Sequence, residues 1–118
     1  MPDAEVTFVL DSDTLNKIRR AAGALGHNEI SISNTQGAVR VSVIDSDNAT
    51  SNVFSIDVEG SYPEGVNFKF IMNVNNLKIV DEDFHVMISS KLISHFTSKQ
   101  SDIEYFIALE KASTYKGV

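Results

Sequence analysis

The chain has 118 residues, 42% hydrophobic and 22% charged, enough to bury one ordinary core and too apolar for a disordered chain. A net charge of -6 argues against a free-standing nucleic-acid binder, because contact with phosphate needs a basic face. With no cysteine, disulfides, thiolate metal sites and cysteine nucleophiles are excluded, and a reducing compartment is favoured.

Residues 1–20 carry Asp3, Glu5, Asp11 and Asp13 and no long apolar run, so no signal peptide is read there. No apolar stretch reaches the roughly 20 residues that span a bilayer. The expectation is a soluble cytoplasmic protein with no membrane partner. Apolar alternation predicts a first strand over Val6 to Leu10. A helix follows from Thr14 to about Leu25, with Ser12 or Asp13 as N-cap, Gly26 just past its end, and Leu15, Ile18, Ala22 and Leu25 as its buried stripe. Strands are then predicted at Glu29 to Ser33, Ala38 to Ile44, Val53 to Val58, Asn67 to Met72, Phe84 to Ser89, Leu92 to Thr97 and Ile103 to Leu109. "NTQG" (34–37) and "DSDNATSN" (45–52) read as turns, and "SYPEG" (61–65) is the strongest break, at the midpoint of the chain.

The two halves resemble each other. "FVLDSDTLNKI" (8–18) returns as "FIMNVNNLKIV" (70–80), at an offset of 62 that pairs Phe8 with Phe70, Leu15 with Leu77 and Ile18 with Val80. The offset then falls to 54, pairing Ile30 with Phe84 and Ile32 with Val86, so the second copy has lost about two helical turns. Each half reads as β-α-β-β-β, from about 5 to 60 and from about 66 to 112. The first unit carries a full helix; the second carries a stub at Asn73 to Ile79. The expected class is α+β, one domain over residues 1–118.

The first helix is basic in an acidic chain. Lys17, Arg19 and Arg20 lie on it, and from Thr14 to Leu25 there is no acid, which leaves 7 basic residues against 16 acidic ones elsewhere. Lys17 and Arg20 are i, i+3 neighbours and share a face. A positive face of this kind attracts DNA phosphates. Lys and Arg are also ordinary helix formers on a solvated surface, and Arg19 is placed to cover a sheet edge with its stem.

No catalytic constellation emerges. Asp11/Asp13, Asp45/Asp47 and Asp81/Glu82/Asp83 are close carboxylates, but each lies at a turn or helix cap where acids are common. "DSDNAT" starts like a calcium loop but lacks the turn glycine and the distal glutamate. His27, His85 and His95 have no metal-ligand spacing, and a cross-strand His85/His95 pair has no third ligand. "GALG" lacks the Lys-Ser/Thr of a phosphate loop, and the "NAT" sequon at 48–50 has no secretory signal to accompany it. Neither cofactor nor metal is expected.

Three stretches in order carry a family resemblance: "AEVTFVLDSDTLNKIRRAAGAL", "NFKFIMNVNNLKI" and "EYFIALEKAST". The chain resembles the C-terminal domain of DNA polymerase sliding clamps of the tailed-bacteriophage type, distant relatives of the eukaryotic proliferating-cell nuclear antigen. The resemblance implies the DNA-clamp fold, with one long and one short helix on the same face. It implies helices facing a central hole and sheets outside, in a ring of six such domains. It implies a non-enzymatic processivity factor that encircles duplex DNA and tethers the replicative polymerase, with a clamp loader and other clamp domains as partners, in an infected host cell if phage-encoded. DNA-facing residues would be Lys17, Arg19 and Arg20, with Lys78 where the family tends to place a basic residue. A partner's hydrophobic C-terminal peptide would meet an outer-face pocket near the last strand, with Phe106, Ala108, Leu109 and Tyr115 as candidate wall. The family's N-terminal domain and connector have no counterpart here. Two readings therefore stay open: a fragment of a two-domain subunit, or a short protein starting at Met1. The alternative function is a phage structural, assembly or generic β-rich interaction domain that does not encircle DNA.

Overall fold

Asp11 sets the start of the helix. Its backbone is extended and its carboxylate accepts the Thr14 N–H at 2.7 Å, while the Asp11 carbonyl takes the Leu15 N–H. The cap is therefore Asp11, one or two residues before the expected Ser12 or Asp13, and the helix starts at Ser12 rather than Thr14. Hydrogen bonds from Thr14 hold the Asp11 carboxyl below its ordinary pKa, so this cap weakens as pH falls through the acid range. At the other end Gly26 adopts φ +70°, and the His27 N–H closes on the Ala22 carbonyl.

The computed structural model describes residues 3–45 and 48–117. In chain order these are β1 (Val6–Leu10), α1 (Ser12–Leu25), β2 (Glu29–Thr35), β3 (Ala38–Asp45), β4 (Asn48–Val58), β5 (Gly60–Ser61) and β6 (Val66–Asn73), then a single 3-10 turn (Val74–Leu77), β7 (Phe84–Ser89), β8 (Ile93–Ser98), β9 (Glu104–Ala108) and β10 (Thr114–Gly117). The eight expected strands are present, but β4 begins at Asn48, inside the run expected to be a turn. Positions 46 and 47 of that turn, with Asp47 of the Asp45/Asp47 pair, lie outside the described residues. β5 and β10 are strands that the sequence did not announce.

The strands form two antiparallel five-stranded sheets, in the orders β5-β1-β7-β8-β9 and β10-β6-β2-β3-β4. Advancing every strand by one repeat, so that β1 becomes β6 and β2 becomes β7, converts one order into the other. The duplication is thus complete in topology, and it is interlocked. Each unit's first strand leaves its own meander and pairs with that of the other unit: β1 with β7, and β6 with β2.

One core fills the space between the sheets. Phe8, Phe84, Val86 and Phe96 meet Ile30, Ile32, Val41 and Phe70, and Leu15, Ile18, Ala22 and Leu77 join the same cluster from the helical side. The repeat pairs Phe8/Phe70, Leu15/Leu77, Ile30/Phe84 and Ile32/Val86 are all buried. The pair Ile18/Val80 diverges: Ile18 is fully buried and Val80 is exposed, because the second copy is no longer helical there. Leu25 is also 47% exposed, since the last turn of α1 runs past the hydrophobic cluster.

Glu29, at the start of β2, shares a hydrogen bond with Glu110 just beyond β9, and this bond, then burial, then Glu29's charge push the Glu110 pKa from 4.5 up to about 7. The native state therefore holds this proton more tightly than the unfolded chain does. The associated stability is fully present below pH 4.5 and lost as pH rises through 7. Glu110→Gln, which keeps an N–H donor for Glu29 at every pH, should match wild type near the acid end. At alkaline pH it should be more stable, by at most about 1 kcal/mol because the pair is partly solvated. Urea unfolding on the two sides of pH 7 checks this; an advantage equal at both would show that no proton is shared.

Candidate nucleic-acid interface

Three of the four candidate cations are exposed and one is engaged. Lys17 and Arg20 are exposed on α1, clear of the buried positions 15, 18 and 22, and Lys78 is exposed just after the 3-10 turn. Arg19 is different. Its guanidinium donates to the Leu77 carbonyl at 3.1 Å, the Ile79 carbonyl at 3.3 Å and Asn16 Oδ1 at 3.2 Å, and lies 3.9 Å from Asp81. Because α1 includes Asp13, the helix as formed carries one acid near its N-terminus, where a negative charge suits the dipole.

The segment after the 3-10 turn runs alongside α1 and is stapled to it. The Ser12 N–H donates to Asp83 at 2.8 Å, Asn16 Nδ2 donates to Asp81 at 3.0 Å, and Arg19 reaches Ile79 and Leu77. Positions 12, 16 and 19 are i, i+4 and i+7, one polar stripe beside the buried one, so the strap lies antiparallel to the helix. It occupies the side where the second unit lacks its helical turns. Its other flank is tied to the β8–β9 hairpin, through the Val80 N–H to the Tyr105 hydroxyl at 3.3 Å and the Asp83 N–H to Gln100 at 3.0 Å. Between the end of α1 and the 3-10 turn a cleft of about 360 Å³ remains, lined by Arg19, Ala22, Gly23, His27, Asn75 and Lys78.

These contacts also say what the acid clusters do. Asp11 caps α1, Asp81 and Asp83 hold the strap, and Glu82 accepts from the Ser98 and Ser101 hydroxyls. His85 lies opposite Thr97, and His95 opposite Met87 and Phe106, so the two histidines are not a direct cross-strand pair. Among the described residues no three His, Asp or Glu side chains gather as a metal site, and no helix is long and apolar enough to cross a membrane.

The four apolar candidates fall into two groups, because side chains alternate along a strand. Phe106 and Ala108 point outward from edge strand β9; Phe106 is 56% exposed and stacks on His95 with ring centroids 4.3 Å apart. Leu109 and Tyr115 join the interior, where Tyr115 stacks near Phe68 and Phe70. His95, weighed from the sequence only as a metal ligand, alternates with buried Phe96, a spacing that points it away from the core.

A family model described as the C-terminal part of the gp45 sliding clamp matches residues 7–111. The chain belongs to the gp45 sliding-clamp family. Among curated relatives, a sliding clamp of Vibrio phage KVP40 is 32% identical over 110 residues, covering 92% of this chain and 48% of the relative. A sliding clamp of Escherichia phage RB69 is 27% identical over 120 residues, covering 97% of this chain and 51% of the relative. This clamp domain therefore spans about half the length of the curated relatives it matches. The α+β architecture, with two antiparallel sheets and duplicated units, is the sliding-clamp fold.

Proposed function

We propose that this chain serves as a sliding-clamp domain of a DNA polymerase processivity factor, working without catalysis of its own in the phage-infected cell. Together with other clamp domains it encircles duplex DNA and tethers the replicative polymerase, with a clamp loader as a further partner. The supporting observation is the pairing of family membership with the exposed cations Lys17, Arg20 and Lys78, set on one helix and its strap in a chain of net charge -6. A positive lining inside an acidic body focuses the duplex into the hole and keeps it off the outer surface. Contacts go to phosphates, so they carry no base information. One domain of about residues 5–112 holds both repeat units. Ring neighbours would add at the sheet edges formed by β4 and β9. Phe106 and Ala108, exposed on β9, with Leu109 and Tyr115 on the core side, are the proposed wall for a partner's C-terminal peptide.

Enclosure, not surface affinity, is the mechanism, and this makes an expected result for the chain alone. As a monomer it should bind duplex DNA with a dissociation constant at or beyond the ~10⁻⁴ M edge of non-specific binding at physiological salt. The complete ring, once loaded, should stay on closed circular duplex and slide off after linearisation. Micromolar binding by a verified monomer, or retention that ignores linearisation, would point to an ordinary DNA-binding domain.

A further inference from the structure

Arg19 stands on the DNA-facing helix, yet its charge is spent on the protein. A 3-10 turn of four residues leaves backbone carbonyls without intrahelical partners. In the first unit, α1 runs on for 14 residues and ends on a glycine cap. In the second unit the chain has no such continuation, and the orphaned Leu77 and Ile79 carbonyls accept from one guanidinium instead. Those carbonyls flank Lys78. Fixing residues 77 and 79 fixes the backbone that aims the Lys78 side chain into the mouth of the cleft beside α1.

We propose that Arg19 is a positioning residue, a fork that latches the strap to α1 and thereby presents Lys78 on the same side as Arg20, rather than a phosphate ligand in its own right. The inference rests on the reading of Lys78 as DNA-facing. Four observations carry it: the two carbonyl bonds from one Nη1, the third bond to Asn16, the Asp81 carboxylate 3.9 Å away, and a side chain only 25% exposed. Arg suits this place because its planar fork reaches several acceptors at once, whereas a lysine ammonium on a flexible stem does not reproduce that geometry.

The test uses the whole chain with Arg19→Gln, Arg19→Lys, Lys78→Gln, Lys17→Gln and the Arg19→Gln/Lys78→Gln double variant. Amide exchange reads the latch, because the Lys78 and Val80 N–H groups are both hydrogen-bonded, to Asn75 and to Tyr105. Arg19→Gln should speed exchange at these two amides by about tenfold or more, since hydrogen bonds from a charged donor are lost, while amides of β3 and β6 stay protected. Arg19→Lys should loosen the strap similarly, which keeps the test informative if the Gln variant folds poorly. Titration with a short duplex at low salt, followed by amide shifts, reads the consequence. Arg19→Gln should weaken binding about as much as Lys78→Gln, the double variant should be no weaker than either, and Arg19→Lys should not restore affinity.

Additive losses, or full rescue by lysine, would show that Arg19 meets phosphate directly and would overturn the proposal. Unchanged exchange, or faster exchange with unchanged affinity, would overturn it as well. If Lys78→Gln changes nothing while Lys17→Gln weakens binding, the assignment of Lys78 falls and this inference with it, while the helix face keeps its role. If neither lysine matters, the DNA-facing reading as a whole fails.

Discussion

Gly60→Ala should cost about 3 kcal/mol or more of stability, the largest loss expected from any one-atom addition to this domain. A Cβ built there would lie 2.5 Å from the Thr7 carbonyl oxygen, 2.7 Å from Phe8 Cβ and 2.8 Å from Val39 Cγ2. Two of these belong to the backbone or first side-chain atom of β1, and neither swings aside as a flexible tip does. Relief requires β5 to part from β1, where Phe8 pairs with Gly60, or Val39 to leave the core. This is the point at which the chain passes from the edge of one sheet to the edge of the other, so damage should reach both. Gly23→Ala is the matching control: nothing lies within 4 Å of its added carbon, and inside α1 the change should stabilise by about 0.5–1 kcal/mol. Urea unfolding should move in opposite directions for the two. Equal midpoints would refute the close-approach account of Gly60.

Reversing the charge at Lys17 and Arg20 should leave the domain folded and disable the ring. Both side chains are exposed and off the buried stripe, so stability should shift by only about ±0.5 kcal/mol. The charge of Lys17 acts on Asp11 more weakly than the Thr14 hydrogen bonds do, so the helix cap should survive. In the proposed ring each domain would change by four charge units on the face assigned to DNA, and a threaded duplex would meet repulsion where field lines are concentrated. Primer extension by the cognate polymerase, run at rising salt, is the measurement. Wild type should lose processivity as salt releases its phosphate contacts, and the double Glu variant should be the least processive at low salt. Lys78→Glu should deepen the defect, and Lys111→Glu, in the turn after β9, should not. A folded double variant with wild-type processivity would mean that this helix face is only solvated surface.

The sequence carried most of the strands because their inward positions alternate cleanly, as Phe8 and Leu10 or Phe84, Val86 and Ile88 show. It carried less where chemistry is ambiguous. Asn, Ala, Thr and Ser at 48–51 are turn residues by type, yet they extend β4 because β3 offers a partner edge, with a register shift near Ile44. β10 has one side chain, Tyr115, that packs against the core, too little for a strand signal in four residues. Asp11, Ser12 and Asp13 are all cap types, and only the distance to the Thr14 N–H selects among them. The 12, 16, 19 stripe was visible as spacing, but its partner lies 58–71 residues away and follows no periodicity. For the same reason the repeat announced two units and not their interlocking: similarity between halves says nothing about which sheet a strand joins.

That interlocking has a cost during synthesis. Val6 must find Ile88, and Leu10 must find Phe84, across most of the chain. At typical ribosomal rates the opening strand waits on the order of ten seconds for a mate that has not yet been made. Until then β1 has only the two-residue β5 as a possible partner, and Phe8 lacks the β7 ladder beside it. Neither half of this domain can mature ahead of the other, and the seam between β1 and β7 is among the last in the domain to close.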